Sequence, residues 1–423
     1  MQIFKKISYL FLLSLILGAS NASAKTDSEE SRLEAYNKLR KVIGTVEKYY
    51  VDELTLNEIV NKAIDGLLTN LDAHSAYLDE KKFNELKIQT DGEFGGIGIT
   101  IALKDGSIMI VAPIEGTPGD KAGLKSGDII LKINDESTLS MSIDDAVNRM
   151  RGKPRTKVKL TIVRKGATEP LDFEITRDNI KVESVYGRAI EDTDYAYIRV
   201  TSFDKKVSKR VEDELGKFKK LDGIILDLRN NPGGLLNQAI DLGDVFLSQG
   251  TIVSQKGRVK EENVVYKAKK DSKYEKIPLV VLINNGSASA SEIVAGAIQD
   301  NKRGILVGET TFGKGSVQVV LPTEDKEALR LTIARYYLPS GRTIQAVGVT
   351  PDMEVAPGSV PNEGGFKIKE ADLQKHLAGE VKLESKSNKK DKKDGENTIT
   401  KEQIMHDIQL KSGIDVLKIM KVL

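Results

Sequence analysis

An α/β core on a mainly parallel sheet, with helical segments at both ends, is the fold class that this 423-residue sequence predicts. Two observations lead there. Short apolar runs at 195–200, 223–228, 279–283 and 304–307 read as strands, and helical patterns fall between them. Val207, Val211, Leu215 and Phe218 mark one helix, and residues 235–247 another. Such an alternation argues for parallel pairing with helices packed on the sheet. The second observation is the pair of polar, glycine-containing loops that leave two of the strands. Arg229-Asn230-Asn231-Pro232-Gly233-Gly234 comes after one, and Asn284-Asn285-Gly286-Ser287-Ala288-Ser289 after another. Loops at the carboxyl ends of parallel strands are where this kind of sheet carries chemistry.

At the N-terminus, Lys5 and Lys6 precede an apolar stretch at 9–17, and Ala22-Ser23-Ala24 then offers a small-residue cleavage site. This is the layout of a secretory signal peptide over 1–24, with Lys25 as the first mature residue. The alternative is an uncleaved anchor, but the stretch is short against the roughly 20 residues a helix needs to cross a bilayer. No stable membrane span is expected after cleavage, and the mature protein is expected in a bacterial periplasm or outside the cell.

A helical segment occupies 25–92. Leu33, Tyr36, Leu39, Val42, Ile43 and Val46 fall on one helical face. A second helix opens with the capping box Thr55-Leu56-Asn57-Glu58 and continues through Ile59, Val60, Ala63, Ile64, Leu67, Leu68 and Leu71. Packing is the expected role, and the terminal helices leave a homo-oligomer open. His74 is expected to be structural. Lys+Arg at 64 against Asp+Glu at 62 leaves the net charge near zero, without the electrostatic footprint of a nucleic-acid partner. The absence of cysteine removes disulfides, thiol catalysis and cysteine-based metal sites. No motif calls for a cofactor or a metal.

Residues 93–176 resemble a PDZ domain. Gly96-Ile97-Gly98-Ile99 has the Gly-apolar-Gly-apolar pattern of the loop whose backbone N–H groups hold a peptide's terminal carboxylate. Thr117-Pro118-Gly119-Asp120-Lys121-Ala122-Gly123-Leu124-Lys125-Ser126-Gly127-Asp128 comes next, in the pattern of the bacterial version. Residues 142–150 read as the groove helix, with Ile143, Val147 and Met150 apolar. A peptide docked there adds a strand to the sheet edge. Protein substrates with accessible C-terminal tails are the partners this implies.

The strand at 279–283 turns through Ser287, Ser289 and Ser291 into a helix. A serine at a helix N-terminus sits where unpaired first-turn N–H groups can stabilise an oxyanion. It still needs a base, and the chain has only three histidines, His74, His376 and His406, none of them near. Lys314, in Gly313-Lys314-Gly315 and 25 residues past Ser289, can lose solvation among glycines and apolar residues and act as a neutral amine. The bland reading of the serines is a solvated capping run.

The run from Gly286 to Gln318 resembles the C-terminal processing peptidases, or tail-specific proteases. In that family the middle serine of a Ser-Ala-Ser-Ala-Ser-Glu run is the nucleophile, a lysine is the base and a glutamine orients it. The resemblance implies those roles for Ser289, Lys314 and Gln318. It also implies a secreted serine endopeptidase with a crotonase-like core over 177–357 and an inserted PDZ domain. The 229–234 turn reads equally well from composition as a helix-entry turn. The resemblance places it in an oxyanion hole, with Gly233 or Gly234 joining Ala290. Pro232 has no N–H to give.

Beyond Pro351-Asp352 pattern fades, and 358–423 is expected to be a helical region interrupted by a disordered linker. A short amphipathic stretch at 371–377 precedes the lysine-rich run at 389–394, which reads as solvated linker rather than a polyanion site. Residues 404–423, with Ile408, Leu410, Ile414, Leu417 and Ile419, look like a terminal helix that docks on the core or on another subunit. Two rival functions remain. Gly308-Glu309-Thr310-Thr311-Phe312-Gly313-Lys314 nearly spells a phosphate-binding loop, but Gly315 stands where a magnesium-ligating hydroxyl belongs, and 317–321 reads as a strand where a helix is required. A non-catalytic PDZ adaptor that captures C-termini is the other.

Overall fold

A computed structural model of the chain describes residues 28–104, 106–269, 271–323, 326–360 and 397–422. The expected signal peptide at 1–24, the 371–377 stretch, His376 and the lysine-rich run lie outside the described residues. The chain divides into two compact units, 1–77 and 78–423.

In the first unit, Ser28 caps the helix Glu29–Tyr49 by accepting from Ser31 N at 3.2 Å, and Glu29 and Glu30 complement its positive N-terminal end. No residue of this helix is buried, and Leu33, Tyr36, Leu39 and Val42 are each more than half exposed. The apolar stripe read as a packing face is therefore open to solvent along this chain. The capping box at Leu56–Thr69 forms as its spelling requires: Thr55 N donates to Glu58 Oε2 at 2.7 Å, and Glu58 N donates to Thr55 Oγ1 at 3.3 Å. Only Ile59 and Leu68 of this helix are buried. His74 N donates to Asp72 Oδ1 at 2.7 Å, which makes a local turn of that stretch.

The second unit is built on a seven-stranded sheet. Its order is Met353–Glu354, Ile305–Gly308, Leu279–Ile283, Gly223–Asp227, Tyr195–Val200, Val185–Ile190, Thr398–Ile399. Pairing is parallel from Met353–Glu354 to Tyr195–Val200 and antiparallel between Tyr195–Val200 and Val185–Ile190. Gly223–Asp227 and Leu279–Ile283 are buried at every position because both sheet faces are covered. Ile198, Ile224, Leu226, Val281 and Ile283 meet the helices Val207–Leu215, Leu236–Phe246 and Ala290–Asp300. Ile225, Val280 and Leu282 meet Ile404, Leu410, Ile414 and Leu417 on the other face. The expected single terminal helix is two, Lys401–Met405 and Ile408–Val422, broken at His406 and Asp407, and Ile419 is exposed rather than docked. An antiparallel sheet of Thr251–Gly257, Val264–Lys267, Ser316–Pro322 and Ala328–Tyr337 adjoins this core, and the sequence pattern pointed only to its residues 317–321.

The inserted domain is an antiparallel sheet in the order Ile99–Lys104, Ser107–Pro113, Ile129–Ile133, Lys157–Val163, Leu171–Thr176, closed over a core of Ile108, Ile110, Leu160 and Ile162. Glu93–Gly96 pairs antiparallel with Asp178–Lys181, so the entering and leaving chains lie side by side. Its helix, Ile143–Met150, buries Ala146 and Met150, while Ile143 stays exposed and Val147 half-buried. Of the three apolar positions read there, Met150 faces the domain core, Val147 is at its margin and Ile143 is open to solvent.

Candidate active site

Ser289 stands where the buried strand Leu279–Ile283 has turned over and the helix Ala290–Asp300 begins. Its backbone lies at φ 55°, ψ −109°, a left-handed setting that costs a residue with a Cβ about 1–3 kcal/mol and survives only when its surroundings impose it. The surroundings here are specific. Ser287 and Ser291 are both fully buried. Ser287 Oγ donates to Leu228 O at 2.8 Å, and Ser291 Oγ donates to Asn231 O at 2.9 Å. Ala288 N reaches Asn231 O as well, at 3.0 Å. The outer serines stitch this loop to the 229–234 turn, and the half-buried Ser289 lies between them.

Glu292, one turn into the helix, is completely buried and accepts four hydrogen bonds. Its Oε2 takes Ser289 N at 2.7 Å and Lys314 N at 2.9 Å. Its Oε1 takes Gly313 N at 2.7 Å and Thr311 Oγ1 at 2.6 Å. One carboxylate oxygen therefore receives the main chains of both Ser289 and Lys314, and the two nitrogens are no further apart than those two bonds laid end to end. Lys314 itself is half-buried and leads directly into the strand Ser316–Pro322. No helix begins there, which removes the phosphate-loop reading. Gln318, at a bulge of that strand, donates from Nε2 to Ser316 Oγ at 2.7 Å and to Thr332 Oγ1 at 3.4 Å.

The 229–234 turn comes up against Ser289 closely. A Cβ built on Gly233 would lie 2.8 Å from Ala288 O, 2.9 Å from Ser289 Cβ and 3.0 Å from Ala290 N. Gly233 also has φ 101°, so only glycine fits. Its N–H donates to Asn231 Oδ1 at 2.9 Å. The Gly234 N–H, two bonds beyond the Gly233 Cα, has no acceptor among the described residues. Asn231, fully buried, is held by donating Nδ2 to Val200 O at 2.9 Å.

In the inserted domain, Ile97 and Gly98 have their carbonyls occupied. Gly119 N donates to Ile97 O at 2.7 Å, and Ile114 N and Thr117 Oγ1 both donate to Gly98 O at 2.9 Å. The amides of Ile97 and Gly98 have no acceptor among the described residues. Gly98 has φ 73°, and a Cβ there would sit 2.4 Å from Thr117 Cβ. Gly96 ends the strand Glu93–Gly96, and Ile99 opens Ile99–Lys104.

Glu292, Asn231, Asp227 and Asp407 were not singled out from the sequence. Glu292 had a signal, the S-x-x-E spacing of a capping box beginning at Ser289. Asp407 had none, because its partner lies 178 residues away. His406 is exposed at a helix C-terminus.

Residues 194–355 match peptidase family S41, and residues 109–164 match the PDZ domain. The chain is 39% identical over 413 residues to the carboxy-terminal-processing protease of Bartonella bacilliformis, spanning 96% of this chain and 93% of that one. It is 38% identical over 344 residues to carboxy-terminal processing protease CtpA of Bacillus subtilis, spanning 81% of this chain and 72% of that one. A solved structure of a photosystem II D1 C-terminal processing protease is 28% identical, covering 77% of this chain and 88% of its own, with a TM-score of 0.46. On the two long sequence matches, this chain belongs to peptidase family S41 and is a serine-type endopeptidase of the carboxy-terminal-processing group, with a PDZ domain.

Proposed function

We propose that this peptidase cuts peptide bonds with Ser289 as nucleophile and Lys314 as general base, on substrates captured by their C-terminal tails. The observation that carries the dyad is the shared Glu292 carboxylate, which receives the main chains of both residues. In this scheme Ser289 Oγ attacks the scissile carbonyl carbon while its proton passes to Lys314 Nζ. The oxyanion is met by Ala290 N–H, at the start of its helix, and by Gly234 N–H, whose donor is unspent. Gly233 could contribute only by giving up Asn231 Oδ1. The C–N bond then breaks, Lys314 returns the proton to the leaving amine, and water hydrolyses the acyl-enzyme. Gln318 steadies this side of the site from its strand.

Tail capture rests on the two unspent amides at Ile97 and Gly98, the donors a terminal carboxylate needs. A periplasmic or secreted location rests on the 1–24 pattern, and the mature N-terminus read by mass spectrometry should be Lys25. Pairing of copies rests on the exposed stripe of Glu29–Tyr49, and light scattering of the mature protein should give a mass above one chain.

The dyad and the adaptor reading separate in one experiment. Ser289→Ala and Lys314→Ala should each lower kcat on an unstructured peptide by about 10⁴ or more, and the double variant should be no worse than either. Both should stay folded and keep their affinity for a free C-terminal peptide. His74→Ala, His376→Ala and His406→Ala should leave kcat within about twofold of the parent, since a lysine base needs no imidazole. A wild-type protein that binds tails and cuts nothing would make it an adaptor. A folded but dead histidine variant would end the Ser-Lys assignment.

A further inference from the structure

The 229–234 turn is held at its start by a residue from the far end of the chain. Arg229 has five N–H donors, and all have acceptors. Nε donates to both oxygens of Asp227, at 3.0 and 3.1 Å, and Nη2 to Asp227 Oδ2 at 2.6 Å. Nη2 also donates to Asp407 Oδ2 at 2.7 Å, while Nη1 reaches Asp407 Oδ1 at 2.9 Å and Gln409 Oε1 at 3.0 Å. The fork on Asp407 is bidentate, the most directional form of such a pair. Asp227, at the end of its strand, is fully buried and also accepts from Tyr197 Oη at 2.7 Å and from Arg229 N at 2.9 Å.

The far end is fixed as firmly. Asp407 begins the helix Ile408–Val422 by accepting Leu410 N at 3.0 Å. Gln409 is buried and donates to Val355 O at 2.8 Å. Burial alone would raise the Asp407 pKa, but the Arg229 hydrogen bonds and charge, together with the Leu410 and Gln409 amides, outweigh it and hold the carboxyl below the ordinary carboxylate range. The helix does not need this cluster to stay docked, since Leu410, Ile414 and Leu417 already pack against the sheet. Desolvated ion pairs add little net stability, so their value lies in geometry. Here the geometry concerned is the entry to a turn whose Gly233 lies against Ser289.

We propose that Asp407 is a positioning residue for catalysis, which sets the oxyanion turn through Arg229 and so makes the C-terminal helix part of the active-site scaffold. The proposal rests on the oxyanion role given to that turn above. Asp407→Asn tests it, because asparagine still caps a helix but cannot take both guanidinium donors. Full-length protein carrying Asp407→Asn should show kcat lowered roughly ten- to a hundredfold, with KM and tail-peptide affinity within twofold of the parent. Ile414→Val, in the same helix but away from Arg229, is the control for mere destabilisation. It should lower Tm by a few degrees and leave kcat unchanged. Asp407→Glu, which keeps the charge, should recover part of the loss. If Asp407→Asn lowers Tm as Ile414→Val does while kcat stands, the proposal is overturned. Gly233→Ala separates the two layers. A drop in kcat there with none at Asp407→Asn sinks only the positioning role, and no drop at Gly233→Ala overturns the oxyanion reading and this proposal together.

Discussion

The 229–234 turn and the 96–99 loop are two glycine-rich stretches of one chain, the first with one N–H and the second with two that find no acceptor among the described residues, yet they are secured in different ways. Around the turn, buried polar side chains and the half-buried Arg229 do the holding: Asn231, Ser287, Ser291, Glu292, Asp227 and Arg229 all bond to backbone or to one another. Around the loop the work falls to backbone pairing and a single hydroxyl, Thr117 Oγ1, on Gly98 O. A group that meets a transient charge must be set beforehand, because any reorganisation adds to the barrier. A loop that meets a stable carboxylate can be steadied by the peptide strand that docks beside it. The difference in wiring matches the difference between the tasks proposed for the two regions, and substitutions in them should therefore fail differently.

Outside the proposed dyad, the largest combined effect on stability and rate is expected at Glu292. Glu292→Gln keeps the size but leaves one side of the carboxyl unable to accept two of its four donors, each such loss costing about 1–2 kcal/mol where the donors are part-buried or buried. Stability should fall by about 2–4 kcal/mol in denaturant melts, and kcat by a hundredfold or more even where the protein is fully folded. Retained kcat in a folded Glu292→Gln protein would mean that the shared carboxylate does not set the dyad.

Gly233→Ala and Gly98→Val set the two loops against each other directly. Both positions have positive φ and a close neighbour where a Cβ would go. Gly233→Ala should lower kcat by about 10²–10³ with little change in KM, because a Cβ pressed against Ala288 and Ser289 displaces the turn and its Gly234 N–H, and that is the usual loss for one oxyanion donor. Gly98→Val should act on the other side, raising KM for a free-acid peptide by about tenfold with kcat nearly intact. Amidating the substrate's C-terminus should mimic it on the wild type and add little to the variant, since both remove one contact. If amidated and free-acid peptides are cut equally well at low concentration, the 96–99 loop does not capture tails.

The smallest effect separates chemistry from scaffold by pH. A lysine base works only when neutral, so kcat/KM should rise with pH as Lys314 loses its proton. The Asp407 carboxyl behaves oppositely: against the upward pull of burial, Arg229 and the Leu410 and Gln409 amides together depress its folded pKa. Its contribution to stability is complete above the ordinary carboxylate value of about 4 and is lost only as pH falls further, through the folded value. Between about pH 6 and 8, Tm should therefore be insensitive to this pair while kcat/KM climbs. A Tm that tracks kcat/KM over that range would attribute the activity change to unfolding instead.

Much of this was legible in the one-dimensional pattern. Parallel strands announce themselves as short apolar runs, and Leu279–Ile283 and Tyr195–Val200 fall where those runs lie. The Thr55 capping box closes within one helical turn, so its spelling and its geometry are the same information. Family resemblance extended this to the chemistry proposed above, since the Ser-Ala repeat, Lys314 and Gln318 sit at motif spacing.

Only the folded chain decided which polar group meets which across long separations. The three serines look alike in sequence, yet Ser287 and Ser291 are spent on Leu228 O and Asn231 O, contacts 59 and 60 residues away. Helical pattern foretold one terminal helix at 404–423, but Asp407, answering Arg229, breaks it and starts a new one. Hydrophobic periodicity is a local property, fixed by 2 or 3.6 residues per repeat. Burial of a polar side chain is not: it is tolerable only beside a partner that the chain delivers from elsewhere, and which residue arrives is settled by the packing of the sheet.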